Sequence, residues 1–93
     1  MKVFYTDRAW QDLELAFGWY EEQHSGLGHE FLDSLESTIK IIEEMPKLYA
    51  IHHKQIRRAL LRRFPFAVFY TIEQESVIIH AVFDNRQDPE KIP

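Results

Sequence analysis

Residues 56–83, IRRALLRRFPFAVFYTIEQESVIIHAVF, carry the pattern that decides the fold. The stretch is rich in β-branched and aromatic residues and is cut twice, at Phe64-Pro65 and at Glu73–Ser76. Such composition with short interruptions predicts three strands, Ile56–Phe64, Phe66–Glu73 and Val77–Phe83. Short connections make the neighbours antiparallel. A sheet covered on one side should alternate apolar and polar residues. Here the alternation fails. Phe66, Val68, Tyr70 and Ile72 point one way, but Ala67 and Phe69 point the other; Val77, Ile79, Ala81 and Phe83 oppose Ile78 and Val82. Both faces are apolar. The second therefore needs a cover: a second copy, a peptide of another protein, or the chain's own Pro46–Lys54 loop or tail.

Working back toward the N-terminus, the period changes to that of helices. Trp10, Leu13, Phe17 and Tyr20 recur at spacings of three and four, predicting a helix over Asp7–Gln23 started by Thr6. His24–Gly28 is a turn. Phe31, Leu32, Leu35, Ile39, Ile42 and Met45 form the stripe of a second helix, Leu27–Met45, stopped by Pro46. Lys2–Thr6 is a short β-prone run. The expected class is α+β: an N-terminal strand, then an antiparallel helical hairpin packed on one face of a mostly antiparallel sheet, β-α-α-β-β-β. The tail after Asp84 is polar and expected to be irregular. A chain of 93 residues is expected to be one domain.

The net charge of −4 hides a segregation. Residues 1–46 hold three Lys/Arg against ten Asp/Glu, whereas residues 47–93 hold eight against five. The second half can face an acidic partner or a polyanion. There is no cysteine, no hydrophobic leader and no run long enough to span a membrane, so a soluble cytoplasmic protein is expected.

The candidate functional residues follow from charge and position. Arg57, Arg58, Arg62 and Arg63 crowd one strand around Leu60, and guanidinium groups suit carboxylate or phosphate. By a period of two, Arg57 and Arg63 share one face, and Arg58 and Arg62 the other. The competing reading is an edge strand kept from aggregating by charge. Asn85, Arg86 and Gln87 form a polar turn at the end of the last strand, where functional groups often stand. His52 and His53 fall on opposite strand faces, and His80 sits among apolar residues as a structural histidine. No cofactor or metal is expected, because no His/carboxylate spacing fits a metal and no glycine-rich phosphate loop or nucleophile motif occurs.

Several phrases resemble the RelE/ParE toxin superfamily: VFYTDRAWQDLELAFGWYEEQ, GLGHEFLDSLESTI, MPKLYA, and above all IRRALLRRFPFAVFYTIEQESVIIHAVFDNRQDP. They cover nearly the whole chain in the family's order. The resemblance implies a toxin silenced by a cognate antitoxin, as a homodimer or as a heterotetramer with the antitoxin. It makes Arg57, Arg58, Leu60, Arg62, Arg63 and Phe69 candidate antitoxin contacts and Asn85, Arg86 and Gln87 the candidate target surface. RelE-like members cut messenger RNA on the ribosome, whereas ParE-like members inhibit DNA gyrase. Where nuclease members often carry a basic residue this chain has Ala67; its final turn starts with the acid Asp84, and its last residues include no tyrosine. The expectation is therefore a ParE-like gyrase inhibitor with no catalytic residues. The alternatives are a ribosome-dependent nuclease using Arg58, Arg62 and Arg86, or a relic that only binds antitoxin.

Overall fold

The computed structural model describes residues 1–87. The elements are β1 (Lys2–Tyr5), α1 (Asp7–Gln23), α2 (Leu27–Glu44), β2 (Ile51–His53), β3 (Ile56–Leu60), β4 (Phe66–Glu73) and β5 (Ser76–Asp84). They form the expected α+β architecture, two helices on a five-stranded sheet of order β1-β5-β4-β3-β2. β1 runs parallel to β5 and every other pairing is antiparallel. The short strand β2 was not expected. It forms within the Pro46–Lys54 segment by pairing Ile51 with Arg57 and His53 with Ile56. The polar tail beyond Gln87 lies outside the described residues.

Thr6 joins strand to helix. Its backbone N–H donates to the Ile79 carbonyl at 3.0 Å, and its hydroxyl donates to the His80 carbonyl at 3.2 Å. The same oxygen accepts from Ala9 N, so one side chain ends β1 and caps α1. Ala9 and Ala16 are buried, which lets α1 lie close on the sheet. Trp10, expected in the helical stripe, is instead 49% exposed and stacks its ring on Tyr5 at 4.7 Å.

The turn between the helices is organised by Glu21. Its carboxylate accepts from the backbone of Gly26 (3.0 Å) and Gly28 (2.9 Å), standing in for the missing side-chain cap of α2. These two charge-assisted bonds hold its carboxyl below the usual range. Gly26 has φ +90°, a conformation other residues rarely adopt. At Gly28 a Cβ would stand 2.7 Å from the Phe17 ring, so only glycine allows the helices to approach this closely.

The hairpin is fastened to the sheet by an aromatic knot. Tyr20 lies 5.4 Å from Phe31 and 5.0 Å from Phe64, and Phe31 lies 5.0 Å from Phe66. This knot explains why β3 ends at Leu60 rather than at the expected Phe64. Arg63 takes φ +71°, turning the chain so that Phe64 enters the helical side.

A bulge in β5 corrects a second expectation. Phe69 pairs with Ala81 but Tyr70 pairs with Ile79, so His80 is the extra residue and the alternation reverses there. Val77, Ile79 and Val82 therefore face the helices, and Ala81 and Phe83 face the opposite side. On that opposite face Ala67, Phe69, Ala81 and Phe83 pack into a small second core, none more than 5% exposed. The expected open apolar face is thus closed at its centre: the two alanines let the two phenyl rings lie low, and the His52 ring meets Phe69 edge-on at 5.4 Å.

Candidate functional site

Among the exposed apolar side chains, several line two concavities. The larger, about 570 Å³, lies between α1 and the C-terminal half of β5. β1 stops at Tyr5, and beyond the Thr6 bonds no described strand continues its pairing along this half of β5. Asp12 fills in for the missing strand: its Oδ2 accepts from Val82 N at 3.0 Å. Burial pushes the Asp12 carboxyl up, while the Val82 N–H and Arg8 work in the opposite direction. Leu15 and Trp19, 74% and 50% exposed, form the helical wall. The charges at the rim are already matched, with Arg8 3.6 Å from Asp12 and Arg86 2.8 Å from Asp84.

The smaller concavity, about 350 Å³, is on the face away from the helices at the β2–β3 corner. Tyr49, Ala50, Ile51, His52, Arg58 and Leu60 line it. Ile51 and Leu60 are each 56% exposed.

The fold disperses the four expected arginines. Arg57 Nη1 donates to the carbonyls of Tyr49 (2.7 Å) and Lys47 (3.2 Å), so it braces the loop that leads into β2. Arg63 pairs with Glu30 of α2 at 2.8 Å. Arg62 is exposed near α2, where Ser34 donates to its backbone carbonyl at 2.6 Å. Arg58 lies opposite Phe69 on the outer face, beside Leu60. Arg58 and Arg62 therefore do not share a face, because β3 ends between them. Among the described residues neither makes an ion pair or a side-chain hydrogen bond. Phe69 is fully buried, which removes its ring as a partner contact in this conformation.

At the end of β5, Asn85, Arg86 and Gln87 are exposed as expected of a turn. The Arg86 guanidinium, however, is clasped by Asp84 through two hydrogen bonds of 3.0 and 2.8 Å. That clasp holds the Asp84 carboxyl below its usual range and raises the guanidinium's already high one. His80 is bound as a structural group. Its Nε2 lies 2.8 Å from the Thr71 hydroxyl, which donates to Glu73 at 2.8 Å. Among the described residues no three His, Asp or Glu side chains converge as metal ligands, and no helix is long and apolar enough to cross a membrane.

Sequence reasoning missed Asp12, Leu15 and Trp19. The available signal was local: Leu15 and Trp19 are large apolar residues on the side of α1 that the stripe leaves wet. Asp12 gave none, since its partner Val82 is 70 residues away.

A family model of the ParE toxin of type II toxin–antitoxin systems, parDE, matches residues 3–89. No curated protein matches the chain. Among solved structures, the fold is similar to a chromosomal ParDE toxin–antitoxin system from P. aeruginosa, with a TM-score of 0.79 and 16% identity over 90% of this chain and 95% of that one. It is also similar to the isolated E. coli RelE toxin, with a TM-score of 0.61 and 12% identity over 96% of this chain and 88% of that one. Identities this low establish a shared fold alone; the family model, spanning nearly every residue, establishes membership. The chain belongs to the ParE toxin family of type II toxin–antitoxin systems.

Proposed function

We propose that this toxin is held silent by a cognate antitoxin and, when free, inhibits DNA gyrase rather than cleaving RNA. A partner antitoxin follows from the family. The choice of target rests on the outer face of β4 and β5. At the position where nuclease members often carry a basic residue, Ala67 is fully buried in an apolar cluster with Phe69, Ala81 and Phe83. RNA cleavage needs groups that activate the 2′-hydroxyl, stabilise the phosphorane and protonate the leaving oxygen. Two alanines and two phenyl rings supply none of these. The nearby cation, Arg86, is engaged by Asp84, whose carboxylate would repel a phosphate. Asn85, Arg86 and Gln87 are then a surface for protein recognition, with the Asp84 clasp holding the guanidinium in one orientation. Of the arginine cluster, Arg58 and Arg62, with Leu60 beside Arg58, are the groups best placed to meet an antitoxin; Arg57 and Arg63 act mainly within the chain.

The test is a supercoiling assay with purified toxin, run beside primer extension on translated messages. Inhibited supercoiling without new 5′ ends is the expected result. New 5′ ends with unaffected gyrase would establish the nuclease alternative. Normal growth on induction without the adjoining gene would instead identify a relic.

A further inference from the structure

The sheet has a third edge besides its two outer strands. β4 pairs with β5 as far as Asp84, but β1 covers the other side of β5 only from Ser76 to Ile79. Two polar side chains continue where β1 stops: the Thr6 hydroxyl donates to the His80 carbonyl, and Asp12 accepts from Val82 N at 3.0 Å. The half-covered strand is prone to recruit another. Val77–Phe83, VIIHAVF, is apolar apart from His80 and holds no Asp, Glu, Lys, Arg, Pro or Gly, the composition of segments that stack on copies of themselves. Leu15 and Trp19 stand exposed beside the same edge, so a strand added there would bury apolar surface as well. The outer edges are protected by ordinary means. β1 is four residues long and begins at Lys2, and β2 is three residues long and followed by Lys54.

We propose that Asp12 is an edge guard: by holding Val82 N with a charged acceptor, it keeps a second copy of this chain from adding a strand to β5 at Ala81–Asp84. A pairing strand must take the Val82 N–H from Asp12 and offer a carbonyl in its place. Charge-assisted hydrogen bonds are roughly twice as strong as neutral ones, so that exchange is a loss. It also leaves the displaced carboxylate facing the incoming carbonyl oxygen, with Arg8, 3.6 Å away, to offset it. A neutral acceptor would satisfy Val82 N, and burial works against the Asp12 charge. Satisfying the donor therefore does not account for an ionised group at this position; exclusion of a competing strand does.

Asp12→Asn separates the two roles, because asparagine still accepts from Val82 N but is neutral and can donate to an incoming carbonyl. Sedimentation velocity of the full chain over a concentration series is the assay, with urea melts verifying that each variant folds. Asp12→Asn should self-associate at concentrations at least about tenfold below any at which wild type does, the scale of exchanging a charge-assisted for a neutral bond. Amide exchange at Val82 should slow with rising concentration in Asp12→Asn and not in wild type. Glu14→Gln, which removes the same charge from an exposed position of α1, should behave as wild type. Leu15→Lys, added to Asp12→Asn at the exposed wall of the groove, should disperse the chains again. If Asp12→Asn does not fold, Asp12→Gln carries the same prediction. A purely structural role for Asp12 predicts a changed urea melt and unchanged sedimentation. Association of the neutral variant no stronger than that of wild type, equal association of Glu14→Gln, association that leaves Val82 exchange unaltered, or association that Leu15→Lys does not reverse would each overturn the proposal.

Discussion

Replacing Tyr70 by phenylalanine tests how the sheet positions the β2–β3 corner. The Tyr70 ring is fully buried on the helical face of β4, and its hydroxyl donates to the Pro46 carbonyl at 2.6 Å. That bond ties the start of the loop leading into β2 to the central strand; Arg57 ties the loop further along, at Lys47 and Tyr49. Tyr70→Phe keeps the ring and deletes one hydrogen bond. The expected cost at neutral pH is about 1 kcal/mol, within the usual net range for such a bond, because the half-buried Pro46 carbonyl can recover water. Burial pushes the phenol from 10.0 up to about 12, partly opposed by Arg57. A pKa raised on folding stabilises the protein fully below the unfolded value and less as pH climbs through the folded one. Wild type should therefore lose stability between pH 10 and 12 that the variant does not lose. Two pH units set a ceiling of about 2.7 kcal/mol, and solvent reaching the loop reduces the expected figure to about 1 kcal/mol. Urea unfolding of both proteins at pH 7, 10.5 and 11.5, which reaches into that window, measures the difference, since the other tyrosines contribute equally to each. Equal stability at pH 7 together with parallel losses in alkali would refute the reasoning.

Three further expectations concern the hairpin and the groove. Gly28→Ala places a methyl 2.7 Å from the Phe17 ring and 2.8 Å from its carbonyl oxygen. The ring can turn but the carbonyl cannot, so a loss of about 1–3 kcal/mol and a lower melting temperature are expected; an unchanged melt would mean the helices separate freely. Glu21→Ala removes the acceptor that caps α2. Because the Glu21 carboxyl sits below its ordinary value, its stabilisation holds above that value and disappears as pH falls through the folded one, so the variant should show a flatter acid limb in pH-dependent melts. Asp12→Asn should be better tolerated at neutral pH than Asp12→Ala. Asparagine still accepts from Val82 N without a buried charge, whereas alanine strands the donor at about 1–3 kcal/mol; chemical denaturation that ranks the two equally would remove Asp12 as the substitute for the missing strand.

Periodicity made the helices and most of the strands legible before any coordinates, since a stripe of spacing three and four has one compact solution. The arginine cluster was legible as charge but not as geometry. Four arginines within seven residues became a loop brace, a helix pair and two separate exposed groups, because the left-handed turn at Arg63 breaks the two-residue alternation on which the grouping relied. The bulge at His80 misled in the same way: one inserted residue moves Ala81 and Phe83 to the far face, and no composition signal marks it.

By itself the sequence determined the class, the order of nearly all the elements and the kinship with these toxins, because amphipathic period, turn residues and segregated charge are local and survive any arrangement of the parts. Tertiary structure decided where apolar surface stays in contact with water and which arginine keeps an unmatched charge. Those properties depend on contacts between residues far apart in the chain: Asp12 reaching Val82, His52 covering Phe69, Glu30 taking Arg63. Exposure is what remains after every such contact is made, so no stretch of residues read alone contains it.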